Sequence, residues 1–226
     1  MYVLSQDTFT PPANHNRKRG CPMYEYRRLT REQQLEVIEY RRQQRRPLHA
    51  PPHWKYSGQR QFILTATCFD HANIIGASHR RMTACETQLL EIFAQYTSAI
   101  YAWCILPNHY HVLIRTDQIE ALRHELGLYH GRSSNQWNSE DNQRGRQVFH
   151  NCFERPIRSN GHFHASVNYI HHNPVKHGHV DKWQDWPWSS ATDYLARVGR
   201  ETAEKIWRKF PLLDYGMNWD IDTEGN

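Results

Sequence analysis

The chain contains no C-x-x-C pair, and its five cysteines (Cys21, Cys68, Cys85, Cys104 and Cys152) are odd in number and scattered along 226 residues. That usage excludes a disulfide framework and a zinc ribbon, and points to small buried thiols in a reducing compartment. No cysteine sits in a nucleophile signature. No apolar run approaches the ~18 residues that span a bilayer. Met1–Arg19 holds no apolar stretch of the kind a secretory leader needs. A cytoplasmic protein without a membrane partner is therefore expected. No internal repeat is evident, which excludes solenoids and propellers. Apolar residues are also sparse, at 38%, below the usual ~45–50%. Charged residues, at 23%, are nevertheless too few for a disordered composition. The length allows one decorated domain or two small ones, with a core that needs no staples.

What is present is unevenly placed. The net charge is +5, but residues 1–60 carry 12 Lys and Arg against 5 Asp and Glu, whereas the remainder carries 16 against 18. The excess clusters at Arg17–Arg19, Arg27-Arg28, Arg41-Arg42 and Arg45-Arg46. A basic stripe of this kind is either the footprint of a polyanion-binding surface or a solvated helix face. Histidine is abundant, with 16 residues, so a histidine argument needs spacing as well as presence.

Residues 1–20 read as a polar arm. Thr30 and Gln33 form a capping box for a helix that stops before Pro47, and Pro47 to Gly58 reads as a linker. Residues 1–58 are thus a basic arm, helix and linker, 59–198 a central domain, and 199–226 a C-terminal helix with an acidic tail. Within the central domain, Gln61 to Phe69 is β-rich, and Met82, Cys85, Leu89, Ile92, Phe93 and Tyr96 keep helical spacing. Ala99–Leu106 and His109–Arg115 are antiparallel strands around a Pro107-Asn108 turn. Ile119, Leu122, Leu126 and Tyr129 mark a helix, Gly131 to Arg146 a polar loop, and Val148 to Ile157 a fourth strand. Ser159 caps a helix that ends at Asn173 before Pro174. Shorter helices are expected at Thr192–Val198 and Thr202–Lys209. The order β-α-β-β-α-β-α predicts an α+β, ferredoxin-like fold related to RNA-recognition modules, with helices on one face of an antiparallel sheet and an N-terminal helical extension.

Two constellations carry chemistry. In His109-Tyr110-His111 the imidazoles share one face of a strand and can reach one metal ion. In Tyr169-Ile170-His171-His172-Asn173 the phenol and the amide share one face of a helix. Two imidazoles and an amide oxygen suit Mg²⁺ or Mn²⁺ better than structural Zn²⁺. The plain alternative is a core tyrosine and a helix C-cap asparagine.

The strings Leu106-Pro-Asn-His-Tyr-His-Val-Leu-Ile114, Phe153-Glu-Arg-Pro-Ile-Arg158, Asn168-Tyr-Ile-His-His-Asn-Pro-Val-Lys-His-Gly178 and Asp185-Trp-Pro-Trp-Ser-Ser190 resemble the REP-associated tyrosine transposases, relatives of the bacterial single-tyrosine HUH transposases. The match covers about residues 60–195. It implies that His109, His111 and Asn173 hold the divalent ion, Mg²⁺ or Mn²⁺, and that Tyr169 is the nucleophile. It implies cleavage and rejoining of single-stranded or hairpin DNA through a 5′-phosphotyrosine, by a monomer or a homodimer. Candidate DNA contacts are Arg144, Arg146, Arg155, Arg158 and Lys176, with Arg41, Arg42, Arg45 and Arg46 on the stem. Trp137 and Phe149 are candidate stacking faces, while Trp183, Trp186 and Trp188 read as core. The acidic tail from Asp214 is expected to cover the basic groove. Rival readings are a domesticated hairpin-binding protein that no longer cuts, an RNA-binding module, and a metalloprotein using His171, His172, His177 and His179.

Overall fold

The computed structural model describes residues 30–33, 35–36, 39, 58, 60–150, 152–213 and 215. The chain falls into two units, Met1–Pro51 with Thr223–Asn226, and Pro52–Asp222. In the first, the Thr30 N–H donates to Gln33 Oε1 at 2.9 Å and the Gln33 N–H to Thr30 Oγ1 at 3.3 Å, the reciprocal capping box read from the sequence. Arg41, Arg42, Arg45, Arg46 and the N-terminal arm lie outside the described residues.

The second unit is built on four antiparallel strands: β1 (Arg60–Thr67), β2 (Ala99–Ile105), β3 (His109–Thr116) and β4 (Phe153–Pro156), in the order β2-β3-β1-β4. Helix α1 (His79–Tyr96) joins β1 to β2, and α2 (Ile119–Glu140) joins β3 to β4. This is the ferredoxin-like arrangement expected. After it come α3 (Asn160–Lys176), α4 (Ala191–Val198) and α5 (Arg200–Lys209). Among the described residues, no helix is long and apolar enough to cross a membrane.

Strand alternation decides what each sheet face meets. Phe62, Leu64 and Ala66 of β1 and Tyr110, Val112 and Ile114 of β3 are buried on one face, with Met82, Cys85, Leu89 and Phe93 of α1 and Leu122, Leu126 and Tyr129 of α2. Burying each large side chain contributes ~1.5–3 kcal/mol. Tyr110 Oη lies 3.0 Å from His130 Nε2 on α2. The crossover helices share this face, as the pattern requires. Helix α3 adds a layer on the other, against β2 and β3, where His109 and His111 point.

Three local expectations change. The predicted loop Gly131–Arg146 is helical to Glu140. Ser133 Oγ donates to Tyr129 O at 2.7 Å, and Trp137 is buried, so packing overrides the weak propensity of a Gly/Ser/Asn-rich stretch. Arg81 Nη2 bonds Asp141 Oδ1 at 2.6 Å and Glu140 Oε2 at 2.9 Å, fixing the end of α2. Hydrogen bonds from Arg81, and then Arg146, lower the Asp141 carboxyl to about 2. The predicted strand Val148–Ile157 is broken. Its first part meets β1's end through a Cys68–Phe149 bridge, and only Phe153–Pro156 forms β4. Finally, α3 does not stop at Asn173: Pro174 lies inside it and the helix runs to Lys176. A proline in the last turn removes one hydrogen bond, and the His177 N–H still reaches Asn173 O at 3.1 Å.

The cysteines behave as buried thiols. Cys68, Cys85 and Cys104 are buried and unpaired by disulfide, and burial pushes Cys68 and Cys85 up to about 12.

Candidate active site

The turn before β3 is clamped from below. Gly76 N–H donates to Pro107 O at 2.8 Å, and a Cβ on Gly76 would meet Pro107 Cβ at 2.4 Å, so only glycine allows this approach. Asn108 Nδ2 donates to His71 O at 3.1 Å. His71 and its neighbour Asp70 both have φ of +52°, a left-handed pair of non-glycine residues that stores strain beside the site. The turn delivers His109 and His111 to one face of β3, with ring centroids 4.9 Å apart at 75°, and both residues are fully buried.

Each ring is oriented through Nδ1. His109 Nδ1–H donates to Asn108 Oδ1 at 2.6 Å, and His111 Nδ1 pairs with Thr65 Oγ1 at 2.8 Å. The Nε2 atoms therefore turn towards α3. There, residues 169 and 173 sit one turn apart on one face. His109 Nε2 lies 3.0 Å from Asn173 Oδ1, and His111 Nε2 lies 3.5 Å from Tyr169 Oη. With its proton on Nδ1, His109 Nε2 carries a lone pair, so two acceptors face each other while Asn173 Nδ2 is buried without a partner. An amide flip relieves that clash, and so does a cation between the two acceptors. A hard divalent ion fits this donor set, with the Nδ1 partners as its outer support. Among the described residues no three His, Cys, Asp or Glu side chains form a metal-binding group, so an ion at this point would need the Asn173 amide oxygen as its third protein donor.

Tyr169 is 1% exposed. Lys176 Nζ stands 5.4 Å from its ring centroid, and Arg155 is within electrostatic reach of both Tyr169 and Tyr215. Tyr215 meets the Tyr169 ring edge-on at 5.7 Å and shares a hydrogen bond with Ser166. The nucleophile candidate thus packs against Tyr215, while Asp214 and the acidic tail from residue 216 onward lie outside the described residues.

A REP-associated tyrosine transposase of Escherichia coli is 28% identical over 108 residues, covering 43% of this chain and 57% of that protein. A putative REP-associated tyrosine transposase of Haemophilus influenzae is 28% identical over 142 residues, covering 58% of this chain and 74% of that protein. A solved REP-associated tyrosine transposase bound to a REP hairpin superposes with a TM-score of 0.51 at 20% identity, over 66% of this chain and 87% of that one. The chain is similar to the REP-associated tyrosine transposases in sequence and in fold. No family model matches it.

The candidate DNA contacts are dispersed around this transposase-like core. Among the described residues, Arg155, on β4, and Lys176 bring positive charge beside Tyr169. The extension of α3 puts Lys176 two turns from Tyr169 on the same face. Arg144 and Arg158 are exposed. Arg146 is held by Asp141 Oδ2 at 2.7 Å and Asn138 Oδ1 at 2.9 Å. Trp137 and Phe149 are buried in the core, Trp137 beneath the Arg81 guanidinium at 5.5 Å, so neither offers a stacking face. Trp186 is buried and donates Nε1–H to Ile105 O at 2.8 Å. His171 and His172 turn away from the Tyr169 and Asn173 face of α3: His171 Nε2 pairs with Ser190 Oγ at 2.9 Å, and His172 lies against Trp207. The four-histidine reading therefore finds no cluster. Sequence reasoning missed Thr65 and Tyr215, which lie 46 residues from each partner at least and carry no local signal. Asn108 was within reach as the residue preceding the first histidine.

Proposed function

We propose that the chain cleaves and rejoins single-stranded DNA beside a hairpin, through a covalent 5′-phosphotyrosine at Tyr169. The observation that carries this reading is the convergence of Tyr169 Oη, His111 Nε2, His109 Nε2 and Asn173 Oδ1 in one buried site. The solved relative bound to a REP hairpin supports hairpin DNA as substrate.

His109, His111 and Asn173 would hold Mg²⁺ or Mn²⁺, which when bound withdraws charge from the scissile phosphate and orients it for in-line attack. Tyr169 Oη forms the bond to phosphorus as the phosphorus–O3′ bond breaks, and the strand leaves with a 3′-hydroxyl. A free phenol titrates near ~10, so the reaction needs help in removing its proton. Lys176 and Arg155 provide positive charge that favours the phenolate and the phosphate it meets. A 3′-hydroxyl attacking the adduct reverses the same bond changes, restores Tyr169 and joins strands without ATP.

The test is an SDS gel with labelled hairpin DNA carrying a single-stranded tail. A stable protein–DNA band that requires Mg²⁺ or Mn²⁺ and disappears in Tyr169→Phe is the expected result. Measurable binding with no such band under any metal favours a second reading, a hairpin-binding protein that does not cut. The near-complete burial of Tyr169 under Tyr215 is the observation on that side.

A further inference from the structure

Between the flank of α3 and the α4–α5 pair lies a cavity of about 410 Å³ that the cleavage chemistry leaves unused. Helix α3 turns Tyr169 and Asn173 towards the sheet, and Asn168 and His172 towards this cavity roughly a quarter turn away. The walls are rings. Trp183 stacks on His171 at 5.7 Å and 14°, and Trp207 leans on His172 at 5.1 Å. Trp207 is 37% exposed, an unusual position for so large an apolar side chain, and it stands on a helix whose mean composition is otherwise charged. Tyr194, only 9% exposed, lines the same space, and its hydroxyl is buried without a hydrogen-bond partner. Arg200, Arg208 and the Glu204 carboxylate, 4.0 Å from Arg208, bring charge to the lining, so two guanidinium groups face one carboxylate there.

Flat aromatic walls, a buried hydroxyl lacking a partner and guanidinium groups beside them suit a planar heterocycle joined to a phosphate. The volume is in the ~300–1,000 Å³ range of small-ligand sites. Asn168 and His172 lie one and three residues from Tyr169 on α3, so the cavity borders the helix that carries the nucleophile candidate. We propose that the cavity takes one unpaired nucleobase of the bound DNA strand. The base stacks on Trp207, its edge hydrogen-bonds Tyr194 Oη, and the adjoining phosphate meets Arg200 and Arg208. This rests on the hairpin-DNA reading of the chain.

The test uses hairpins whose single-stranded tail carries 2-aminopurine at successive positions, with a blunt hairpin and free 2-aminopurine nucleotide as further probes. One tail position is expected to be quenched on binding. Trp207→Ala restores its fluorescence and weakens the tailed hairpin about tenfold while the blunt hairpin binds as before. Tyr194→Phe, which removes only the hydroxyl, keeps the quenching and levels the preference among the four bases at that position. Quenching that survives Trp207→Ala, or none at any tail position although the blunt hairpin binds, overturns the cavity assignment and leaves the hairpin reading standing. Equal quenching of the free nucleotide overturns it in favour of a mononucleotide site. Failure of every hairpin to bind overturns both.

Discussion

The two faces of the sheet come from alternate residues of the same strands, yet they treat polar groups in opposite ways. On the Tyr110 face, burial silences them: it pushes Cys85 up to about 12 and His130 down to about 4, and His130 stacks on Phe149 at 4.1 Å. On the His109 face, equally buried nitrogens are each turned by a side-chain partner, Asn108 or Thr65, towards one shared point. Depth in the fold is similar, and the difference is where the hydrogen bonds lead. His130 spends its Nε2 on Tyr110 Oη within the packed core, whereas His109 and His111 are held through Nδ1 and keep Nε2 turned to a shared point, so the first pair is a closed piece of core and the second a prepared site.

Four changes should separate the faces. Leu89→Ala on the packed face should lower stability by ~2–5 kcal/mol, seen as a shifted denaturation midpoint, while adduct formation per folded molecule is unchanged. Asn108→Ala on the site face should do the reverse: Mn²⁺ affinity, measured by calorimetry, falls roughly 10- to 100-fold with the midpoint little moved.

The third concerns acid. His130 has its folded value lowered from 6.5 to about 4, so between those values the unfolded chain binds a proton that the folded chain refuses. Stability therefore falls as pH drops through this window, by roughly 1 kcal/mol between pH 7.5 and 5.5 from this group. His130→Phe should flatten that slope in urea titrations at the two pH values.

The smallest effect is expected at the cover. Removing residues 211–226 uncovers Tyr169 by taking away Tyr215, and adduct formation should rise a few-fold; unchanged rates would mean that the segment does not gate the site.

The sequence made some of these features legible and hid others, for physical reasons. Period-two spacing suffices to put His109 and His111 together, and a four-residue step does the same for Tyr169 and Asn173. Short-range chemistry also reads well: Ser159 Oγ accepts from His162 N at 3.1 Å, as its place before α3 implies. What stayed hidden depends on tertiary packing. Gly131 to Glu140 is helical because Trp137 is buried and Arg81, far away in sequence, ties down the next residues. Lys176 reaches Tyr169 only because the helix tolerates Pro174. Thr65 becomes a partner of His111 through strand register alone, where the two residues pair across β1 and β3.

The central claim is that the buried tyrosine beside the two histidines is the group that attacks DNA. Digesting the protein–DNA reaction mixture and mapping the nucleotide-bearing peptide by mass spectrometry tests it directly. The account predicts linkage at Tyr169, formed with Mn²⁺ or Mg²⁺ and absent in EDTA. Linkage at Tyr215, or at Tyr169 with no need for metal, would contradict it.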